Sequence, residues 1–326
     1  MMRKFLLAVS ALTFTVTAIV TAGTATRAVA QGYPNKAVTI VMPYAAGGNG
    51  DILTRFIADA AKTMWNVPVV VDNRPGAGGA IGIGQVARAA PDGYTVVFVS
   101  TSPMTVAPHL AKQTYDALKD FTYLERFGIG SQPMMVRADS PFKTMKDVVE
   151  YARANPGKFR WTSAAQRGGP QLATEALFKA EGVQTTYVTF QGDPESMSAV
   201  LGGKIEAAVM ATYTEQLKAG TIRLIAEAGP YGIDGLPNVP TYKSLGYKLA
   251  PVVFIGLAGP AGLPAEVVAK WDDTIGKIVA SQAYIDLSNR LNTKVSFAGS
   301  KEFTQQVKDD YEALGVAIKD LGLAQQ

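Results

Sequence analysis

Short apolar runs alternate along this chain with longer stretches in which apolar residues recur every three or four positions. Residues 38–42 (VTIVM) are continuously apolar, as a strand covered on both faces would be. Ile52, Leu53, Phe56, Ile57, Ala60 and Met64 then fall at helical spacing. Residues 67–71 (VPVVV) predict a second strand and 81–90 a short helix. Residues 94–99 (YTVVFV) predict a third strand, entered through the turn Pro91-Asp92-Gly93. The pattern restarts with a helix over 143–154, closed by Asn155-Pro156-Gly157. Strands are expected at 159–163, 186–190, 205–210, 223–227 and 252–258. Helices are expected at 171–181 and 194–201, the latter stopped by Gly202-Gly203. Two or three helices end the chain. The last takes Ser300 as N-cap and carries Phe303, Val307, Tyr311, Leu314, Ile318 and Leu321 on one face.

Alternating strand and helix argue for the α/β class, each unit a mostly parallel sheet flanked by helices. The alternation occurs twice and is followed by a helical tail, and 326 residues are enough for two domains. The tail needs a surface to pack on, and the first unit, with three early strands, has room. The expectation is a discontinuous first lobe, 31–132 plus 254–326, and a second lobe, 133–253. The chain then crosses between lobes near 132 and 254, a natural hinge pair.

Residues 1–30 read as a secretory signal. Arg3 and Lys4 precede an apolar run at 5–20, loosened by Ser10, Thr13, Thr15 and Thr17, and Ala28-Val29-Ala30 is a small-x-small cleavage pattern. A membrane anchor would need about 20 cleaner apolar residues. The mature chain is expected to start at Gln31 and to work in the periplasm. Losing Arg3, Lys4 and Arg27, with no acid among them, takes the formal charge from +4 to +1. A near-neutral chain has no electrostatic case for nucleic acid or an anionic membrane. Cysteine is absent, which excludes thiol catalysis, disulfides and cysteine metal sites. The single histidine, His109, leaves little material for a Ser–His–Asp triad or a histidine metal site. It is expected on the surface or in a loop, and Asp272-Asp273 on a solvated helix face.

No G-x-S-x-G or G-x-x-x-x-G-K-[ST] occurs, and Gly202-Gly203-Lys204 lacks the hydroxyl that follows a P-loop lysine. Gly82-Ile83-Gly84-Gln85-Val86-Ala87 matches G-x-G-x-x-A, but about ten residues past its strand. The dinucleotide fingerprint needs its first glycine at the strand–helix turn. Three loops have better contexts. "PYAAGGNGD" (43–51) lies between a strand and a helix, so the amides around Gly47 and Gly48 can converge on one point beside a positive helix end. Asp51 fits two roles there, a helix cap or a partner for a ligand's donor group. "SAAQRGGPQ" (163–171) and "FQGDPES" (190–196) also follow strands, and open sheets bind ligands beyond the carboxyl ends of their strands. Little in these loops resembles a nucleophile with its base. The residues by themselves describe a two-lobed binder of a small anion, held largely by backbone amides.

At this point the sequence resembles a known family. "YPNKAVTIVMPYAAGGNGDILTR", "VVVDNRPGAGGAIG", "AAPDGYTV", "YDALKDFTYL", "NPGKFRWTSAA", "LGGKIEAAV", "GLPNVPTYKSLGY" and "GLAGPAGLP" occur in order over the mature chain. Together they are similar to the substrate-binding proteins of tripartite tricarboxylate transporters, the Bug family. The resemblance implies a two-domain periplasmic-binding-protein clamshell. It implies that two loops grip a ligand carboxylate with ordered water, and that no cofactor takes part. The first loop would be Tyr44, Ala45, Ala46, Gly47, Gly48, Asn49 and Asp51. The second would be Ser163, Ala164, Ala165, Gln166, Arg167 and Gly168. Ser102, at the end of the third strand, and Phe190, Gly192 and Asp193 would line the cleft.

The departures bear on the ligand. The family's second loop usually reads S-A-G-x-G-S-x-x-H; here Ala165 and Arg167 replace glycines and Gln171 the histidine. Phe190-Gln191-Gly192 stands for the usual tyrosine–lysine–glycine. Arg167 fits two arrangements, bidentate on a second carboxylate or outward in solvent. Phe190 and Tyr44 would sandwich a ring. An aromatic acid or a dicarboxylate is therefore the expected ligand, and the altered second loop puts the standard water grip in question. The expected protein is a monomer that hands its carboxylate to membrane subunits of such a transporter. Two other classes stand beside it: a binder that presents its closed form to a sensor kinase, and a periplasmic hydrolase, which the scarce catalytic residues disfavour.

Overall fold

The computed structural model describes residues 32–163, 168–190 and 193–324. The secretory signal and residues 164–167 and 191–192 of the candidate loops lie outside them. The chain begins with β1 (Val38–Met42), α1 (Asn49–Trp65), β2 (Val69–Asn73), a 3-10 turn at Ala77–Gly79, α2 (Ala80–Val86) and β3 (Thr95–Ser100). A π-helical turn at Ser102–Val106, α3 (Ala107–Leu110) and β4 (Phe121–Gly130) follow. Next come β5 (Pro133–Arg137), α4 (Met145–Ala154), β6 (Arg160–Ser163), α5 (Gly169–Ala180) and β7 (Thr186–Tyr187). Then come α6 (Asp193–Leu201), β8 (Ala207–Val209), α7 (Thr214–Lys218) and β9 (Ile222–Glu227). The chain ends with β10 (Phe254–Pro260), α8 (Ala265–Val279), α9 (Gln282–Arg290), β11 (Thr293–Ala298) and α10 (Ser300–Asp320).

These strands form two sheets, β11-β4-β10-β3-β1-β2 and β7-β6-β8-β5-β9, one in each of two α/β lobes. Four of the five β1 residues are buried because both faces of the first sheet are covered. Ile40 and Met42 join Leu53, Ile57, Trp271 and Tyr284 under α1, α8 and α9. Val41 points the other way, to Ile83, Val86, Phe303 and Val307 of α2 and α10. The second sheet is covered in the same manner. Trp161 and Val209 pack with Val148 and Leu177 on one face, and Met135 and Ala208 with Met197 and Val200 on the other. Each large apolar side chain fully buried in this way contributes about 1.5–3 kcal/mol.

The pairings are mixed where mostly parallel sheets were expected. β2, β1 and β3 are parallel, as are β7, β6 and β8. The strands next to the crossovers, β4, β10, β5 and β9, all pair antiparallel. A chain that leaves one sheet at its edge and enters the next directly, without a crossover helix, reverses its direction. β4, β5 and β11 are strands that the apolar pattern does not predict. β4 carries Glu125-Arg126 in mid-strand, which breaks its apolar run, yet both residues are buried. Several expected boundaries also move; the helix expected at 81–90, for example, ends at Val86. Pro68 stays outside β2, its carbonyl accepting from the Val38 amide. The strand expected at 186–190 stops at Tyr187. Gly299, not Ser300, caps α10, and the Ser300 hydroxyl donates instead to the Tyr123 carbonyl.

The registers set the functional edges. In the first sheet the carboxyl ends of β1, β3 and β4 lie beside the amino ends of β10 and β11. In the second, Ser163 pairs with Val209, Val209 with Met134, and Pro133 with Glu227. Both crossovers, at Ser131-Gln132 and between Glu227 and Phe254, join these two edges. The edges that bear the candidate loops therefore face each other.

Candidate functional site

The first loop is held from beneath by Asp51. Its carboxylate is 4% exposed and accepts from the Gly47 amide (3.0 Å), Arg55 Nε (2.9 Å) and Nη2 (3.1 Å), and Asn73 Nδ2 (2.9 Å). Burial alone would raise this carboxyl. The hydrogen bonds from Arg55, Gly47 and Asn73, with the Arg55 charge, hold it below its ordinary value. Asp51 is thus neither the N-cap, which is Gly48, nor a free acceptor. Asn73 also donates to the Tyr44 carbonyl at 3.0 Å. Tyr44 sets the far side of the loop, its hydroxyl 3.0 Å from Ser100 Oγ and its ring edge-on to Phe98 at 6.1 Å. Gly50 must lack a side chain, because a Cβ there would sit 2.7 Å from the Phe98 ring. Gly47 adopts a left-handed φ of 93°. What this frame presents to solvent is Ala45, Ala46, Gly47, Gly48 and Asn49, all exposed. Gly48 caps α1 without a side-chain acceptor, so amides of the first turn are left for an acceptor from outside.

In the second lobe α5 starts in the same way as α1. Gly168, buried, caps α5 without a side-chain acceptor. Ser163 ends β6 with its hydroxyl buried and without a partner. Gly169 lies so close to the returning crossover that a Cβ would stand 3.2 Å from Pro251 and 3.7 Å from Thr101. Thr101 ties the end of β3 to that crossover, donating to the Val252 carbonyl (2.7 Å) and accepting from the Phe254 amide (2.8 Å). Ser102, the next residue, is half-buried at the start of the π-helical turn. Thr101, the residue before Ser102, thus comes close to the start of α5. Asp193 begins α6 and accepts from Thr212. Phe190 packs against the second-lobe cluster that holds Met197, Val200 and Tyr213, whereas Tyr44 packs against the first-lobe cluster that holds Met42 and Phe98. The two rings belong to separate clusters. Gln171 is buried and donates to Glu175 at 2.7 Å. Ala164, Ala165, Gln166, Arg167 and Gly192 fall outside the described residues.

Sequence reasoning missed Arg55, Asn73, Thr101 and Glu227. Arg55 was legible in principle, four residues after Asp51 on the same helix. Glu227 ends β9 at the crossover. It is 3% exposed and accepts from the Ser131 hydroxyl (2.7 Å), the Gln132 amide (3.0 and 3.1 Å) and the Gly229 amide (3.2 Å). Burial raises its carboxyl above the ordinary value despite these donors. Beside it a cavity of about 290 Å³ opens between the lobes, lined in part by Tyr213, Tyr231, Asn292 and Lys294.

Three residues set aside in the sequence take definite places. His109 is half-buried on α3 against the Tyr311 ring, with Nε2 2.9 Å from the Tyr311 carbonyl, and burial lowers its pKa. Asp272 departs from the expected solvated face. It is half-buried, accepts from the Ser300 amide at the start of α10, and is pushed up by burial. Gly82 is a packing glycine, since a Cβ would lie 2.9 Å from the Arg74 carbonyl. Among the described residues no three His, Asp or Glu side chains are grouped to hold a metal ion. No described helix is long and apolar enough to cross a membrane.

Comparison with known proteins places this architecture. The family described as tripartite tricarboxylate transporter family receptor matches residues 53–323, and the chain belongs to it. It is therefore a solute-binding protein of the periplasmic, Bug type. The UPF0065 protein in the gbd 5' region of Cupriavidus necator is 32% identical over 99% of both chains. A TctC solute-binding protein from Polaromonas is 28% identical, with a TM-score of 0.78 over 88% of this chain and 99% of that one. R. palustris Rpa4515, determined with adipate, shares the fold at 23% identity, with a TM-score of 0.76 over 90% of this chain and 99% of that one.

Proposed function

We propose that this chain captures a small carboxylate between its lobes in the periplasm and delivers it, as a monomer, to the membrane subunits of a tripartite tricarboxylate-type transporter. It acts without cofactor or catalysis. The lobes are 31–132 with 254–326, and 133–253. One observation carries the reading: α1 and α5 both start at a glycine cap with no side-chain acceptor, on the two sheet edges that face each other. Two helix ends then offer backbone amides and partial positive charge to one anion from opposite sides. Closure excludes water and strengthens these contacts. The reading assigns ligand contact to the amides of the first loop, to Ser163 and to the loop that follows it. Asp51 is assigned to building the loop. Arg167 is assigned to a second carboxylate, which favours dicarboxylates over the aromatic acids that a Tyr44–Phe190 sandwich would take.

A thermal-shift panel of mono-, di- and tricarboxylates, headed by adipate and including benzoate, tests this. A true ligand at a hundredfold excess over Kd should stabilise by about 2.7 kcal/mol, a shift of several degrees. Sugars raising the melting temperature while every carboxylate fails would refute the anion class, and inorganic phosphate doing so would refute the carboxylate reading. Calorimetry on the hits should show Arg167→Ala weakening dicarboxylates tenfold or more relative to monocarboxylates, about 1.4 kcal/mol. Equal losses would remove Arg167 from that role.

A further inference from the structure

The turn between α9 and β11 is a three-way junction. Asn292 lies there in the left-handed region, with φ of 52°. Its Nδ2 donates to the Ala211 carbonyl at 2.8 Å, and its Oδ1 accepts from the Thr214 hydroxyl. Both polar ends of one first-lobe side chain are thus engaged by a single second-lobe segment, the β8–α7 loop and the first residue of α7. The Asn292 carbonyl accepts from the Ser131 amide at the first crossover, at 3.3 Å. The preceding carbonyl, of Leu291, accepts from Asn49 Nδ2 at 2.9 Å, so the first loop reaches the same turn. On the other side Thr212, within the β8–α7 loop, holds Asp193.

We infer that Asn292 is an interlobe strut, a positioning residue that sets the angle between the lobes and links the first loop to the loop after β8. The inference rests on the two-lobed architecture and not on the identity of the ligand, so its failure would leave the carboxylate reading standing. The turn itself needs only a residue tolerant of positive φ, which glycine satisfies. The amide is surplus to the turn, and both of its ends are spent on the other lobe. Lys294 and Asp234 also span the gap, but as an ion pair with side chains 37% and 58% exposed. Such a pair contributes little and serves as an internal control.

The sequence holds no cysteine, so paired spin labels can be placed cleanly at Lys62→Cys on α1 and Lys218→Cys on α7, both exposed. Interlobe distances are then measured by pulsed electron resonance on the unliganded mature chain. Asn292→Gly keeps the turn and removes both bonds; Thr214→Val removes one bond at nearly constant shape. Each should move the ratio of short to long distances, by about tenfold for Asn292→Gly and less for Thr214→Val. Thr214→Ser should restore the parental distribution, and Lys294→Ala should leave it unchanged. An unchanged distribution in Asn292→Gly, or a shift in Thr214→Val that Thr214→Ser shares, would overturn the inference.

Discussion

Asp51 and Glu125 are both carboxylic side chains buried in the first lobe, at 4% and 0% exposure, and they are treated in opposite ways. Asp51 sits at the rim and receives four hydrogen bonds, two of them from Arg55. Glu125 sits in β4, where neither carboxyl oxygen has a partner, and burial pushes it well above the ordinary value, helped by the nearby Asp272 charge. The surroundings of one favour its charged form, and it shapes a loop; those of the other disfavour its charged form, and it shapes nothing visible. The contrast shows that burial alone does not mark a functional acid. What marks it is whether the surroundings supply donors for the charged form.

The largest effect expected from this contrast follows removal of the satisfied acid. Asp51→Ala strands Arg55 and Asn73 and frees the Gly47 amide. It should destabilise by about 2–3 kcal/mol, discounted because Arg55 is 45% exposed. Carboxylate binding should fall with it, since the first loop loses its support. The pH dependence has a definite sign. Because the folded-state pKa is depressed, the stabilisation is present above the unfolded carboxyl's value, about 3.9, and is lost as pH falls through the lower folded value. Urea titrations of parent and variant should therefore draw together as pH falls from about 4 through the acid range. Parallel curves across the acid range would show that the fold does not lower the Asp51 pKa.

Removing the unsatisfied acid should do the reverse. Glu125→Met replaces a buried, unpartnered carboxyl by an apolar side chain of similar size and should stabilise by about 1–2 kcal/mol. Here the folded pKa is raised, so the parent is least penalised below the unfolded value, about 4.3, and loses stability as pH rises toward the folded one. The gain from Glu125→Met should therefore grow as pH rises above the unfolded value, about 4.3. A loss of stability at every pH would mean that Glu125 has a partner the geometry does not reveal.

The same pair explains what could be read from the sequence. The α/β class, the strand–loop–helix setting of 43–51 and the glycines that leave α1 uncapped are local features, and period and turn chemistry reveal them. The family motifs extended that reading to the second lobe. Asp51 carried two possible roles because its partner Asn73 is 22 residues away and joins it only when β2 pairs with β1. β4 was lost for the reason that makes Glu125 unusual: a Glu-Arg pair inside a buried strand breaks the apolar pattern. Asn292 gave no local signal, since its partners lie in the other lobe, about eighty residues away in sequence. Contacts across lobes leave no periodicity.

The finest test of the contrast separates charge from geometry at the satisfied acid. Arg55→Lys keeps a positive charge four residues after Asp51 but cannot reproduce the two-pronged contact of Nε and Nη2, nor the guanidinium's bond to Asn73. If charge alone holds Asp51 ionised, the stability loss should be negligible. If the fork matters, the loss should be about 0.5–1 kcal/mol, the range of a single exposed pair or hydrogen bond. We expect the second outcome, because Asn73 loses its Arg55 contact and with it part of what fixes the Tyr44 carbonyl. Binding of the best carboxylate should then weaken severalfold in Arg55→Lys while the melting temperature falls by only a few degrees. A melting-temperature loss with unchanged affinity would confine the Asp51–Arg55–Asn73 web to the fold and leave the first loop to its own glycines.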